Sequence, residues 1–223
     1  MKLSQNKLFC ICGKKGQMFL IAAIFIIVIL ALIKTSFNIY QLLENKRYLE
    51  SSLEKEEFQN FKEELIKTVE YSIYQKENIT RNTEEFIKFA KNSFKSRTID
   101  LNGLAVEAIY PKVYANTNTQ LNVTVFNFLG EEIKELNLTF NSSSQTFSLP
   151  DSSSHSVQFL FNTPSDYNYT LFVSFLTSTK NKTEEILIPV EINESKFVGF
   201  FDLEILSPRG QLKEKLELSY YLI

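Results

Sequence analysis

Sixteen apolar residues follow one another without a break from Met18 to Ile33. At about 1.5 Å of rise per residue a helix of this run covers about 24 Å, and the hydrocarbon core of a bilayer is about 30 Å thick. Extending the helix through Phe37, Ile39 and Tyr40, with Lys34 snorkelling, makes up the difference. From Ser36 to about Gln75 the chain has no Gly or Pro, and its apolar residues return at helical spacing: Leu49, Leu53, Phe58, Phe61, Leu65, Val69 and Ile73. The pattern predicts one continuous helix whose stripe packs on the domain that follows, with Glu63 and Lys67 as an i,i+4 pair. Asn78-Ile79-Thr80-Arg81 interrupts it. A second helix is expected to begin with Asn82 or Thr83 as N-cap, with Glu85 completing a capping box with Asn82, and to run to Arg97.

Beyond Arg97 the texture becomes short alternating runs separated by Asn, Ser, Thr, Gly and Pro. These predict strands over 99–110, 120–128, 133–140, 145–149, 155–161, 169–177, 184–192, 197–206 and 215–222. The alternation is clean in Leu121, Val123, Val125; in Leu136, Leu138, Phe140; in Val157, Phe159, Phe161; and in Ile186, Ile188, Val190, Ile192. Turn residues separate the runs at Leu129-Gly130, Leu149-Pro150-Asp151-Ser152, Thr163-Pro164-Ser165-Asp166 and Ser207-Pro208-Arg209-Gly210. Strands at this spacing with no helix between them predict an antiparallel sandwich or barrel. The fold class is α+β: a long N-terminal membrane-spanning helix and a short second helix, then an all-β sandwich.

Charge orients the membrane segment. Residues 1–16 carry Lys2, Lys7, Lys14 and Lys15 and no acid, which predicts a cytoplasmic N-terminus and an extracellular C-terminal bulk. A net charge of −2 leaves no basic stripe for nucleic acid. Cys10 and Cys12 are the only cysteines, so the domain beyond the membrane has no disulfide, and two thiols alone make a poor zinc site. An ordinary secretory signal is disfavoured, because the apolar run is long and no Ala-x-Ala site follows it.

The junction in front of the run reads Lys14-Lys15-Gly16-Gln17. It resembles the class III signal peptide of archaeal type IV pilin-like proteins, in which a short basic leader ends in two basic residues and Gly, and Gln opens the apolar helix. The resemblance implies cleavage between Gly16 and Gln17 by a prepilin peptidase on the cytoplasmic side. It also implies association with sister subunits through the N-terminal helix. The family's Glu at the fifth mature position is Ile21 here, which points to a minor rather than a major subunit.

Seven Asn-x-Ser/Thr sequons, at Asn78, Asn122, Asn137, Asn141, Asn168, Asn181 and Asn193, all lie beyond the membrane segment and are candidate N-glycosylation sites. Residues 122–140 resemble a hairpin of the immunoglobulin-like sandwiches of microbial cell surfaces, a likeness of architecture alone.

Catalytic chemistry is not evident. The single histidine lies in Asp151-Ser152-Ser153-Ser154-His155-Ser156, read as a loop too short to fold back into a triad. Glu131-Glu132 and Glu184-Glu185 are adjacent pairs that point to opposite faces of a strand. No Asp-x-Asp spacing supports calcium, and no Gly-rich loop supports phosphate.

These features predict a leader over 1–16, a transmembrane helix over 17–40, a helical stalk over 41–97 and an extracellular sandwich over 98–223. The expected function is that of a non-enzymatic, pilin-like surface subunit without cofactor or metal. Its expected partners are the lipid bilayer, the peptidase and sister subunits, with the ligand of the head unknown. The alternative is an uncleaved single-pass anchor carrying a surface binding module that does not polymerise.

Overall fold

The computed structural model describes residues 14–115, 117–163, 166–208 and 210–222. Residues 1–13 of the expected leader, with Cys10 and Cys12, lie outside the described residues, as do Asn116, Pro164, Ser165, Arg209 and Ile223. The chain divides into two units between Glu54 and Lys55. The division falls inside helix α1 (Lys14–Gln75), so the second half of that helix belongs with the residues that follow it.

α1 can run this far because no Gly or Pro interrupts it between Gln17 and Gln75. It stops at Lys76, whose φ of 57° is left-handed. There the amide of Lys76 donates to Ile73 O and that of Glu77 to Ser72 O, which satisfies carbonyls left over at the helix end. Helix α2 (Ile79–Lys95) begins earlier than expected, its N-cap four residues before Asn82. Its N-cap is Asn78, whose Oδ1 accepts from the Arg81 amide at 3.0 Å. The expected capping box is not formed. Asn82 Nδ2 instead donates to Ser72 Oγ and Glu77 Oε2, and Glu85 pairs with Arg81. α2 also ends at Lys95 rather than Arg97, since Ser96 and Arg97 already fold into the exit turn.

Among the described residues nine strands follow: β1 (Asp100–Tyr110), β2 (Thr117–Asn127), β3 (Ile133–Phe140), β4 (Ser143–Leu149), β5 (Ser153–Thr163), β6 (Tyr167–Leu176), β7 (Asn181–Val190), β8 (Lys196–Ser207) and β9 (Gly210–Tyr221). They form a five-stranded sheet in the order β5-β2-β1-β8-β9 and a four-stranded sheet in the order β4-β3-β6-β7, antiparallel throughout. The fold is α+β with a β-sandwich head.

One core lies between the sheets, with Leu104, Val106, Leu121, Val123, Leu136, Phe140, Phe159, Val173, Ile188 and Phe200 among its members. A second lies on the other face of the five-stranded sheet, where α2 and the Phe58–Ile73 face of α1 pack on Leu101, Ala105, Phe126, Phe197, Phe201, Leu203 and Ile205. The central strands β1 and β8 are therefore covered on both sides, and β8 is buried at every position from Lys196 to Ile205. Gly103 allows the close packing of β1. A Cβ there would lie 2.2 Å from the Asp202 carbonyl oxygen and 2.6 Å from the Phe128 ring.

The apolar stripe of α1 divides at the unit boundary. Phe58, Phe61, Leu65, Val69 and Ile73 are buried, but Leu49 and Leu53 are 62% and 56% exposed, contrary to expectation. The expected Glu63–Lys67 pair is replaced by Lys67 with Glu64, at 2.8 Å.

Candidate membrane anchor and surface-modification sites

Residues Ile21–Ile33 carry no charge, and their side chains are exposed throughout. The apolar stretch that begins at Ile21 is not buried against other residues. Among the described residues this is the one helix long and apolar enough to cross a membrane. Near its end Thr35 Oγ1 donates to Ala31 O at 2.8 Å, so the hydroxyl needs no water. Lys14, Lys15, Gly16 and Gln17 form the opening of α1 as backbone, and nothing is described of their side chains.

The sequon asparagines are all on the unit that begins at Lys55. Asn78, Asn141, Asn168, Asn181 and Asn193 are exposed, whereas Asn122 and Asn137 are half-buried. Asn141 and Asn193 occupy turns, with φ of 44° and 66°, a conformation Asn adopts more readily than most residues. Asn137, Asn168 and Asn181 stand at outward positions on the adjacent strands β3, β6 and β7, each opposite in phase to the buried residues beside it. Asn137 Oδ1 accepts from Ser144 Oγ at 2.6 Å, while Asn122 Oδ1 is enclosed without a partner.

The catalytic candidates do not converge. His155 is in strand β5 rather than a loop, its ring against that of Phe147 at 4.2 Å between centroids. Asp151 turns elsewhere, accepting from the Gly130 amide at 2.8 Å and from Lys91 Nζ at 3.1 Å. Burial opposes ionisation of Asp151, but those two donors and Ser152 outweigh it and leave the carboxyl below its usual range. Glu131 accepts from the hydroxyls of Thr177, Ser178 and Thr179, and so clamps the β6–β7 turn. The Ser178 and Thr179 bonds pull its carboxyl down to about 2. Glu184 and Glu185 do face opposite ways, Glu184 inward and Glu185 outward. Among the described residues no group of three or more His, Cys, Asp or Glu is placed to hold a metal ion.

Two clusters escaped the sequence reading. Along the side where β7 approaches β8 and β9, the buried carboxylates Glu184, Asp202 and Glu204 meet Lys180, Lys182, Lys213 and Lys215. Representative separations are 2.6 Å for Lys215–Glu184 and 2.9 Å for Lys180–Glu204. Burial acts to raise the Glu184 carboxyl, yet hydrogen bonds from Lys182 and Lys215 hold it below its usual range. The second is Glu107, which is only 4% exposed beneath α2, and burial pushes its carboxyl up to about 7. Each has a faint signal: isolated acids inside the apolar runs Leu-Ala-Val-Glu-Ala-Ile and Phe-Phe-Asp-Leu-Glu-Ile.

An open apolar groove of about 220 Å³ lies between α1 and α2, floored by Phe61, Phe86, Phe89 and Phe94 and rimmed by the Glu57–Arg97 ion pair. No protein-family model matches the chain, and no curated protein matches it.

Proposed function

We propose that this chain is a non-enzymatic, pilin-like surface subunit of the minor type, with residues 1–16 removed by a prepilin peptidase. The bare apolar helix carries the reading: Ile21–Ile33 buries nothing within its own chain, as suits a segment stored in lipid. The resemblance of Lys14-Lys15-Gly16-Gln17 to a class III junction supports cleavage in front of that helix. The mature helix would then leave the bilayer to pack among sister helices, since apolar side chains exposed over this length require lipid or protein around them. The sandwich is displayed outside, with glycans on its sequons.

N-terminal sequencing of the protein extracted from membranes tests the reading. The expected result is a chain beginning at Gln17, and Gly16→Val is expected to keep the leader attached. A chain beginning at Met1 overturns cleavage.

The alternative, an uncleaved anchor bearing a binding module, is favoured by Ile21. An apolar residue there offers no carboxylate to pair with a neighbour's new N-terminus. Cross-linking in intact cells separates the two: ladders of this chain, or mixed species with other apolar-helix subunits, support assembly, and monomer alone supports the anchor.

A further inference from the structure

We propose that the cavity beneath the first turns of α2 is a proton-binding site, and that a proton on Glu107 fastens α2 to the five-stranded sheet. The site lies wholly within the unit that begins at Lys55. Its walls are Thr80, Thr83, Glu84 and Ile87 of α2, Ala105 and Glu107 of β1, and Thr124 and Phe126 of β2. The free space is about 10 Å³, no more than one water molecule needs.

Glu107 sits between Thr124 and Gly199 in the register of the sheet, on the face that receives α2. Both of its carboxylate oxygens are enclosed, and neither has a hydrogen-bond partner; Thr83 Oγ1, on the facing helix, is enclosed and unpartnered too. The Thr80 and Thr83 hydroxyls act to favour the charged form, but burial outweighs them and neither makes a hydrogen bond of good geometry to the carboxyl. A carboxylate left ionised in such a place carries a large desolvation cost, and an ion pair normally offsets it.

Among the described residues no cation supplies that pair. On α2 the charged group facing Glu107 is Glu84, another acid, which acts to hold the proton on. Lys88, one turn on from Glu84, is spent on that acid at 2.5 Å and lies over the Phe126 ring. Arg81 pairs outward with Glu85 at 2.8 Å. From β2 come only Thr124 and Phe126, from β8 only Gly199, and from β5 the Ser154 hydroxyl, which donates to Glu84 at 2.9 Å.

A metal ion is a poorer occupant than a proton. Both Glu84 oxygens are already engaged, by Lys88 and Ser154, so one carboxylate would have to hold the ion. Hard cations such as calcium want six or more oxygens. A proton needs no extra room, and it removes a buried charge that no hydrogen bond of good geometry offsets.

The consequence is a docking equilibrium linked to pH. Burial pushes the folded carboxyl up to about 7, against the ordinary 4.5 of an exposed glutamate. Docking is therefore favoured in acid, weakens as pH rises from the lower value to the higher, and gains nothing further beyond. Deprotonation sends the proton to solvent and leaves a bare charge under residues 79–87, so the start of α2 is the part that loosens.

The test is amide hydrogen exchange of the full-length protein in detergent, corrected for the intrinsic pH dependence of exchange, with and without Glu107→Gln. The opening equilibrium of α2 is expected to be roughly 30-fold larger at about pH 8.5 than at about pH 5.5, and in the Gln variant to be unchanged between the two. Should the variant fail to fold, infrared spectroscopy of the native protein reads the same group: a protonated-carboxyl band is expected in mildly acid buffer and is lost on raising the pH through 7. Equal opening at both pH values in the native protein overturns the proposal, as does restoration of protection at the higher pH by calcium chloride alone.

Discussion

The hydroxyl of Tyr220, in the last strand, donates to Oε1 of Glu70, in the first helix, at 2.9 Å. The bond joins the two ends of the folded unit and sits beside the helix–sheet core, to which Tyr220 contributes its ring. Burial and the neighbouring carboxylate push the Tyr220 phenol up to about 12. Tyr220→Phe keeps the ring and removes the bond. It is expected to lower unfolding stability by about 1 kcal/mol in urea titrations, with no effect on membrane insertion.

The stripe of α1 gives a sharper contrast. Leu65 is completely buried, so Leu65→Ala opens a cavity under the helix and is expected to cost about 2–5 kcal/mol. Leu49→Ala and Leu53→Ala, at exposed positions, are expected to change the same unfolding transition by less than about 0.5 kcal/mol. A midpoint series in urea distinguishes them.

Two glycines are expected to behave oppositely. Gly103→Ala forces a methyl group into the Asp202 carbonyl and the Phe128 ring, and is expected to destabilise by about 2 kcal/mol or more. At Gly210 nothing lies within 4 Å of the added carbon and the backbone is not left-handed, so Gly210→Ala is expected to be nearly neutral. Thermal melts of the two variants check both.

Stability against pH should peak on the acid side of neutrality. Glu184 has its carboxyl lowered by Lys182 and Lys215, so its contribution is present above the unfolded value and is lost as pH falls through the folded one. Glu107 runs the other way, its carboxyl being raised, and its penalty grows as pH rises from 4.5 to about 7, reaching on the order of 3 kcal/mol. Urea midpoints are expected to be highest at about pH 5–6. Glu107→Gln should flatten the alkaline limb only.

The surface sequons are expected to differ in use. Asn168 and Asn181 are exposed on outward strand positions, so Asn168→Gln and Asn181→Gln should each remove a glycan's mass from the intact protein. Asn122 is half-buried with its oxygen enclosed, and Asn122→Gln is expected to leave the glycan mass unchanged. Mass spectrometry of the purified variants decides.

Strands whose one face is wet were plain in the sequence. Leu136, Leu138 and Phe140 alternate with Asn137 and Thr139 because only one side of β3 is buried, and its boundaries came out as expected. β8 shows no such alternation, because helices cover one face and a sheet the other; its run of apolar residues indicated burial without indicating by what. The start of α2 was misplaced because Asn78 and Asn82 are both competent caps. The left-handed turn at Lys76, a residue type that does not advertise one, selects the first. The division of the α1 stripe was invisible, since Leu53 and Phe58 are equally apolar and only the extent of the sheet decides which is covered. Glu107 was a single acid in an apolar run, and its isolation from the cations of the described residues is a property of neighbours brought in from β2 and α2.

The order of strands in the five-stranded sheet bears on when the head can form. β1 lies between β2, which follows it directly, and β8, whose register pairs Tyr110 with Lys196 and Asp100 with Leu206. The sheet thus cannot close until the penultimate strand has been made, and loop closure over so long a stretch is slow. During synthesis β1 and β2 emerge well before β8, the strand that covers the other edge of β1. The five-stranded sheet therefore closes in one late step, with an edge of β1 unpaired until β8 arrives.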